Sequence, residues 1–312
     1  MRAYVGVTDQ SWFEFLAAHP AITEVNFWRP SSGRRFAALQ VGEPFFFKTH
    51  HPHHRLVGGG FFSGFEPLSV SEAWEFFGEG NGVPGLAEMR RRVGCYRRGA
   101  IAPHEDPTIG CVFIRDVRFF RPEEVLAAPA DFASNIVQGK TYEFATPAAE
   151  SAGLELALTQ ILEASVLDPG NGAWYRPGPT RGDPILVRPR LGQQSFKAVV
   201  LNAYSRRCAV TGDRIRPVLE AAHIRPIANG GEHRIDNGML MRSDVHTLFD
   251  RGYLGVDQRH QLHVSPRLRS EFGNGEHFYA LRGSAVALPV PLASRPHREF
   301  LEWHMDSVFR AS

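Results

Sequence analysis

The stretch Leu219 to Asp250, LEAAHIRPIANGGEHRIDNGMLMRSDVHTLFD, constrains this chain more tightly than any other part of it. His223, Asn237 and His246 follow one another there with thirteen and then eight residues between them. Ahead of His223 the largely apolar run Val218 to Ile224 reads as a strand, and Asn229-Gly230-Gly231 after it is a turn signal. Ser243 or Asp244 is placed to cap a short helix in which His246 and Asp250 stand at i and i+4 on one face. Strand, turned loop and helix therefore bring three polar side chains toward one point.

Phosphodiester hydrolysis calls for these residue types. It needs an activated water, a stabilised pentacovalent phosphate and help for the departing 3′ oxygen. One divalent cation supplies the last two, and a neutral imidazole supplies the first. The spacing, with its flanking strand and helix, resembles the HNH (ββα-metal) nucleases. That resemblance implies His223 as general base, Asn237 as the brace of the loop that holds it, and His246 and Asp250 as ligands of one divalent ion, Mg²⁺ or Mn²⁺. Taken singly, a histidine on a strand or helix is more often packed or solvated; the joint pattern is what points to a site.

The chain departs from the family pattern at the position before the base, commonly Asp or His and a further ligand, which here is Ala222. Strand side chains alternate in direction, so Glu220 shares the face of Ala222 and either reaches the metal in its stead or is an ordinary solvated carboxylate. Cys208 stands alone where many relatives carry CxxC pairs, so no structural zinc is expected.

At 312 residues the chain is long enough for two domains. Cys95, Cys111 and Cys208 are too few and too scattered for a disulfide framework, which agrees with a reducing compartment. The N-terminal residues lack a basic-then-apolar signal layout, and no run of about 18 apolar residues occurs. A cytoplasmic protein with no membrane partner is the expectation. The net charge of +2 says little about partners, but its distribution says more. Between Arg176 and Arg216 nine Lys or Arg stand against only Asp183 and Asp213, directly before the motif. Such a segment, Arg188, Arg190, Arg206 and Arg207 included, either contacts the phosphates of double-stranded DNA without reading its sequence or is a solvated linker and helix face.

Residues 1–150 read as one mixed domain. Asp9 reads as the cap of a short helix with Trp12, Phe13 and Leu16 inward. Strand-like pieces follow at 24–28, 43–48, 56–62 and 109–114, with helical stretches at 71–77 and 86–93. The triplet Gly58-Gly59-Gly60 marks a bulge or a close approach of another group to the backbone. The segments VNFWRPSSGRRFAALQVGEPFFFKTH and RLVGGGFF are similar to the PUA-like superfamily, which includes the EVE, YTH, ASCH and SRA domains. Its members commonly bind RNA or hold a flipped, modified base in an aromatic-walled pocket. By that resemblance Trp28, Phe47 and Phe62 can supply a stacking face and Asn26 an edge contact. Phe47 and Phe62 fit a packed core better, whereas Trp28 precedes the loop Arg29-Pro30-Ser31-Ser32-Gly33, and binding residues favour loops. The five arginines between Arg90 and Arg98 read as a phosphate contact or as the wet face of a helix. Asn135, Gln138 and Lys140 read as a surface hairpin, with nucleic-acid contact as the other option.

Residues 151–166 carry leucines and Ile161 at helical spacing, and the Pro- and Gly-rich run after them makes 151–190 a helix and linker. The nuclease domain then spans 191–312. It opens with a helix over 193–205; beyond the motif come a small hairpin, the short helix PRLRSEF and a C-terminal helix over 298–310. His260, His263, His277, His297 and His304 read as surface residues.

The expected fold is α+β, with an N-terminal PUA-like β-barrel and flanking helices and a C-terminal ββα-metal domain. The expected function is a metal-dependent DNA endonuclease, with modification-dependent restriction as its role by fold-level analogy. A non-catalytic modified-base reader with a degenerate HNH site is the alternative, and pairing into a homodimer stays open.

Overall fold

The structure, a computed structural model, describes residues 1–312 apart from 34, 51, 145–151, 167–191 and 312. Its architecture is α+β, in two compact units, Met1–Gln194 and Ser195–Ser312.

The first unit is built on one mixed sheet. Its strands are β1 (Arg2–Thr8), β2 (Glu24–Arg29), β3 (Pro44–Thr49), β4 (Arg55–Ser69), β5 (Thr108–Phe119), β6 (Leu126–Ala127) and β7 (Gly139–Glu143). Hydrogen-bonded neighbours run β2-β5-β4-β3-β1-β7, with β6 beside β4. Only β1 and β3 among these pairs are parallel. The helices are α1 (Gln10–Ala17), α2 (Val70–Phe77), α3 (Leu86–Arg97) and α4 (Ala152–Val166).

All six residues of β3 are buried, as a sheet covered on both faces requires. Phe45, Phe47 and Phe62 pack on one face with Trp12 and Leu16 of α1. Phe46 and Leu56 pack on the other with Leu154, Ala157 and Ile161 of α4. Gly59, the middle of the glycine triplet, is explained by this second layer, whereas Gly58 and Gly60 lie against β5. A Cβ on Gly59 would lie 2.7 Å from the Ile161 side chain and 2.8 Å from the Phe45 carbonyl, so only glycine lets α4 and β3 approach so closely. The β4–β5 register also shifts between Gly59 and Phe61. Since α4 covers the sheet, it belongs to this unit's core.

Two local expectations, a hairpin and a cap, are corrected, and a third is narrowed. Residues 135–143 form no hairpin: β7 joins the edge of the sheet against β1, and Lys140 is held by the Asp131 side chain. The arginines between Arg90 and Arg98 lie on the wet face of α3 and its exit, one of their two readings, and four of the five are paired within the unit. Arg91 and Arg92 bind Glu88, Arg90 donates to the carbonyls of Ala102 and Glu105, and Arg97 donates to those of Pro30 and Thr108. Asp9 sits at the N-cap of α1 without a side-chain capping bond, because its carboxylate accepts from the Tyr96 hydroxyl instead.

The second unit contains α5 (Gln193–Ala203), β8 (Leu219–His223), β9 (Gly238–Arg242), α6 (Ser243–Asp250), β10 (Leu254–Val256), β11 (Leu262–Val264), α7 (Arg267–Phe272), α8 (Glu276–Ala280) and α9 (Arg298–Ser307). β8 and β9 pair antiparallel, with His223 opposite Gly238, and α6 follows β9 without a break. The N-cap of α6 is Arg242, just before the Ser243 or Asp244 expected there. Its guanidinium forks between Asp244 (2.7 and 2.6 Å) and Asp213 (2.6 Å), fixing the start of the helix. His304 of α9 is not on the surface. It is 2% exposed, stacks on Phe249 of α6 at 3.7 Å between ring centroids, and burial pushes its imidazole down to about 4.

Candidate active site

The site grows from the β8–β9 pair, the loop between them and α6. Asn237, fully buried, ties the loop into a ring. Its Oδ1 accepts from the Arg225 amide at 2.9 Å, and its Nδ2 donates to the carbonyls of Arg225 and Glu232, each at 2.9 Å. Its own carbonyl accepts from the amide of Ile224, the residue after His223. One side chain thus fixes both ends of the loop. Satisfying every one of these groups internally is what makes a buried amide tolerable.

His223 ends β8 and is clamped on its ring face. Phe196 of α5 stacks on it with centroids 4.0 Å apart and planes 9° from parallel. Gly238 permits this: a Cβ there would lie 2.9 Å from the Phe196 ring. The His223 Nε2 is 3.0 Å from Nδ1 of His233, a loop residue absent from the sequence-based site. Burial, and then the neighbouring His233 and His246, push the His223 imidazole down to about 4. It is therefore neutral, and a proton acceptor, at pH 7.

His246 stands between two carboxylates. Its Nδ1 is 2.7 Å from Glu220 Oε2, and its Nε2 is 3.3 Å from Asp250 Oδ2. Burial raises the Asp250 carboxyl above its ordinary range, with His246 opposing and Glu220 adding to the rise. Ala222 is fully buried and supplies no donor. Among the described residues no group of three or more His, Cys, Asp or Glu is arranged to hold a metal ion. Two donors nonetheless lie at ligand spacing, since two atoms each about 2.1 Å from one ion are about 3 Å apart at a right angle. Nε2 of His246 and Oδ2 of Asp250 meet that separation.

The remaining residues are dispersed. Arg207 is exposed and Arg206 half-buried, in the turn after α5, while Arg188 and Arg190 lie outside the described residues. Cys208 is buried and its sulfur accepts from the amides of Thr211 and Arg242, each at 3.4 Å.

In the first unit Phe47 and Phe62 belong to the packed interior, 0% and 4% exposed, and present no face to a ligand. Asn26 is also fully buried, its Nδ2 donating to Asn81 Oδ1 at 2.9 Å and directed at the Cys111 sulfur at 3.3 Å. Trp28 differs from these three in being only half-buried. Its Nε1 donates to the Asn81 carbonyl at 3.1 Å, and Tyr96, 50% exposed, meets it edge to face at 5.9 Å. Tyr96 was not legible in the sequence, lying 68 residues beyond Trp28 on a helix whose arginines drew attention first.

Residues 208–257 match the model of the HNH endonuclease family. No curated protein matches the chain. Among solved structures, one described as a modification-dependent TagI restriction endonuclease is 19% identical over 39% of this chain, with a TM-score of 0.27. The match spans only 39% of that protein. The ASCH protein of Zymomonas mobilis is 11% identical over 52% of this chain and 94% of its own, with a TM-score of 0.33, and its Y47F mutant scores the same.

Proposed function

We propose that the chain is a metal-dependent DNA endonuclease whose second unit hydrolyses phosphodiesters and whose first unit selects DNA by a modified base. The observation that carries the nuclease reading is the neutral, clamped imidazole of His223 beside the Glu220–His246–Asp250 line, within the segment that matches HNH endonucleases.

In this reading His223 takes a proton from the attacking water. Asn237, holding both ends of the loop, keeps that base in register with the substrate phosphate. His246 and Asp250 would hold the divalent ion, which when bound stabilises charge on the phosphate and on the departing 3′ oxygen. Two protein ligands suit Mg²⁺ or Mn²⁺: Mg²⁺ keeps several waters and is held by few side chains plus substrate phosphate. Glu220 then orients His246 by accepting its Nδ1 proton, the common arrangement for a ligating histidine. A direct ligand role for Glu220 requires its carboxylate to leave that bond.

Selectivity is assigned to Trp28 with Tyr96. Stacking an extruded base on an aromatic face contributes about 1–3 kcal/mol, enough to offset unstacking only when further contacts to the modified group add to it. Cleavage of matched modified and unmodified duplexes by the full chain tests this. The expected result is a preference for modified DNA that Trp28→Ala removes while residual nicking persists; a wild-type chain indifferent to modification ends the reader assignment.

One observation favours a second reading, a non-catalytic reader with a degenerate site: Ala222 offers no ligand, and no three-donor group occurs among the described residues. That reading predicts DNA binding without any cut.

A further inference from the structure

His233 meets His223 through a ring nitrogen, and the HNH spacing describes no role for it. It sits in the loop that Asn237 braces, directly after Glu232, whose carbonyl accepts from Asn237. Both imidazoles are half-buried, and Phe196 lies against each, at 4.0 Å from His223 and 5.8 Å from His233. The 3.0 Å contact between Nε2 of His223 and Nδ1 of His233 admits one proton between two neutral rings. Its direction decides which His223 nitrogen is left to do chemistry.

With His233 donating, the His223 proton sits on Nδ1 and neither ring nitrogen keeps a free lone pair. With His223 donating, Nδ1 carries a free lone pair and Nε2–H is anchored. Only the second arrangement makes a base. It also survives proton uptake: the imidazolium still donates Nε2–H to His233, now as a charge-assisted bond. His233 suits the acceptor role because burial holds its own imidazole toward the neutral form.

Resting on the reading of His223 as general base, we infer that His233 is a positioning residue that accepts the Nε2–H of His223, fixes the tautomer with its lone pair on Nδ1, and steadies the cation formed in the reaction. The water proton passes to Nδ1, the water oxygen forms the new bond to phosphorus, and the bond to the 3′ oxygen breaks, that oxygen taking its proton from solvent. Phe196 sets the plane of the base and His233 sets its rotation within that plane, the orienting third group expected of an activated base.

The test uses the full chain with His233→Leu and His233→Asn. The Oδ1 of asparagine falls near the place of Nδ1 and can accept the same proton, whereas leucine cannot. Nitrogen-15 NMR without DNA reads the His223 tautomer, and single-turnover cleavage at saturating DNA reads the chemistry. Expected are Nε2 protonation in the wild type, a loss of that preference and a rate lower by about 10–100-fold in His233→Leu, the usual scale for an orienting partner, and recovery of both in His233→Asn. DNA affinity should not change. Nδ1 protonation in the wild type, a normal rate for His233→Leu, or an equal loss in both folded variants would overturn the assignment. Absence of cleavage by the wild type in Mg²⁺ and Mn²⁺ would instead overturn the nuclease reading, while the NMR signal still reports the histidine pair.

Discussion

His246 shows how far residue-level reading reached. Its i,i+4 partner Asp250 was legible because both lie on one short helix. Its other partner was half legible: strand alternation placed Glu220 on a shared face with Ala222, but did not show that its carboxylate meets Nδ1 of His246. If Glu220 orients, Glu220→Gln should weaken Mn²⁺ binding by about 10–100-fold, and less than His246→Ala or Asp250→Ala does. Calorimetry on the three variants checks the order, and a Glu220 variant with unchanged affinity rejects the orienting role. His233 escaped because motif spacing fixes the three named positions and is silent on what lies between them. Protonation offers a second check. His223 and His304 titrate near about 4 in the folded chain and near 6.5 when unfolded. Below 6.5 the unfolded chain therefore binds the extra protons, so stability present at pH 7 is lost as pH falls from 6.5 toward about 4 and is unaffected above that window. His304→Phe keeps the stack on Phe249 and removes one titration, so its thermal midpoint should decline less steeply over the same interval.

At the scale of elements, local signals were read well and distant partners poorly. Strand, turn and helix of the β8–β9–α6 motif came out of the sequence nearly in register, as did α1, α2 and α5. The partner of β7 did not, because β1 lies at the other end of the unit and nothing in ASNIVQGKTYEF names it. Caps were missed for a related reason: Asp9 is a good capping residue, but Tyr96, distant in sequence, takes its carboxylate. Helix α4 reads correctly as a packed helix, but its apolar face does not say which sheet it covers. Leu154 and Ile161 are 0% and 1% exposed. Replacing either with Ala should cost about 2–5 kcal/mol, the range for large-to-small changes in a core. Denaturant unfolding measures this; a cost near zero would mean that α4 is not part of the core. A fragment ending at residue 150 lacks this layer, so binding studies of the first unit need α4 retained.

For the whole molecule, charge and aromatic content suggested a partner without naming a surface. Four of the five arginines between Arg90 and Arg98 turned out to be paired within the unit, and three of the four pocket residues, Asn26, Phe47 and Phe62, turned out to be buried, because composition cannot separate a packed side chain from an exposed one. Of the basic segment, Arg207 is exposed at the end of α5. Should it and Arg206 contact phosphate, replacing both with Gln should weaken binding to all sequences alike and reduce the slope of log affinity against log salt by about one unit per lost contact. A loss confined to particular sequences would indicate base readout instead. The central claim is that His223 acts as the base of a metal-dependent nuclease, and the most direct measurement is single-turnover cleavage of supercoiled DNA by the wild type and by His223→Ala, each with Mg²⁺ or Mn²⁺ and with chelator. The account predicts cleavage by the wild type only with metal, and a rate lower by at least about a hundredfold in His223→Ala at unchanged DNA affinity. Cleavage by His223→Ala at the wild-type rate, or undiminished cleavage in chelator, would contradict it.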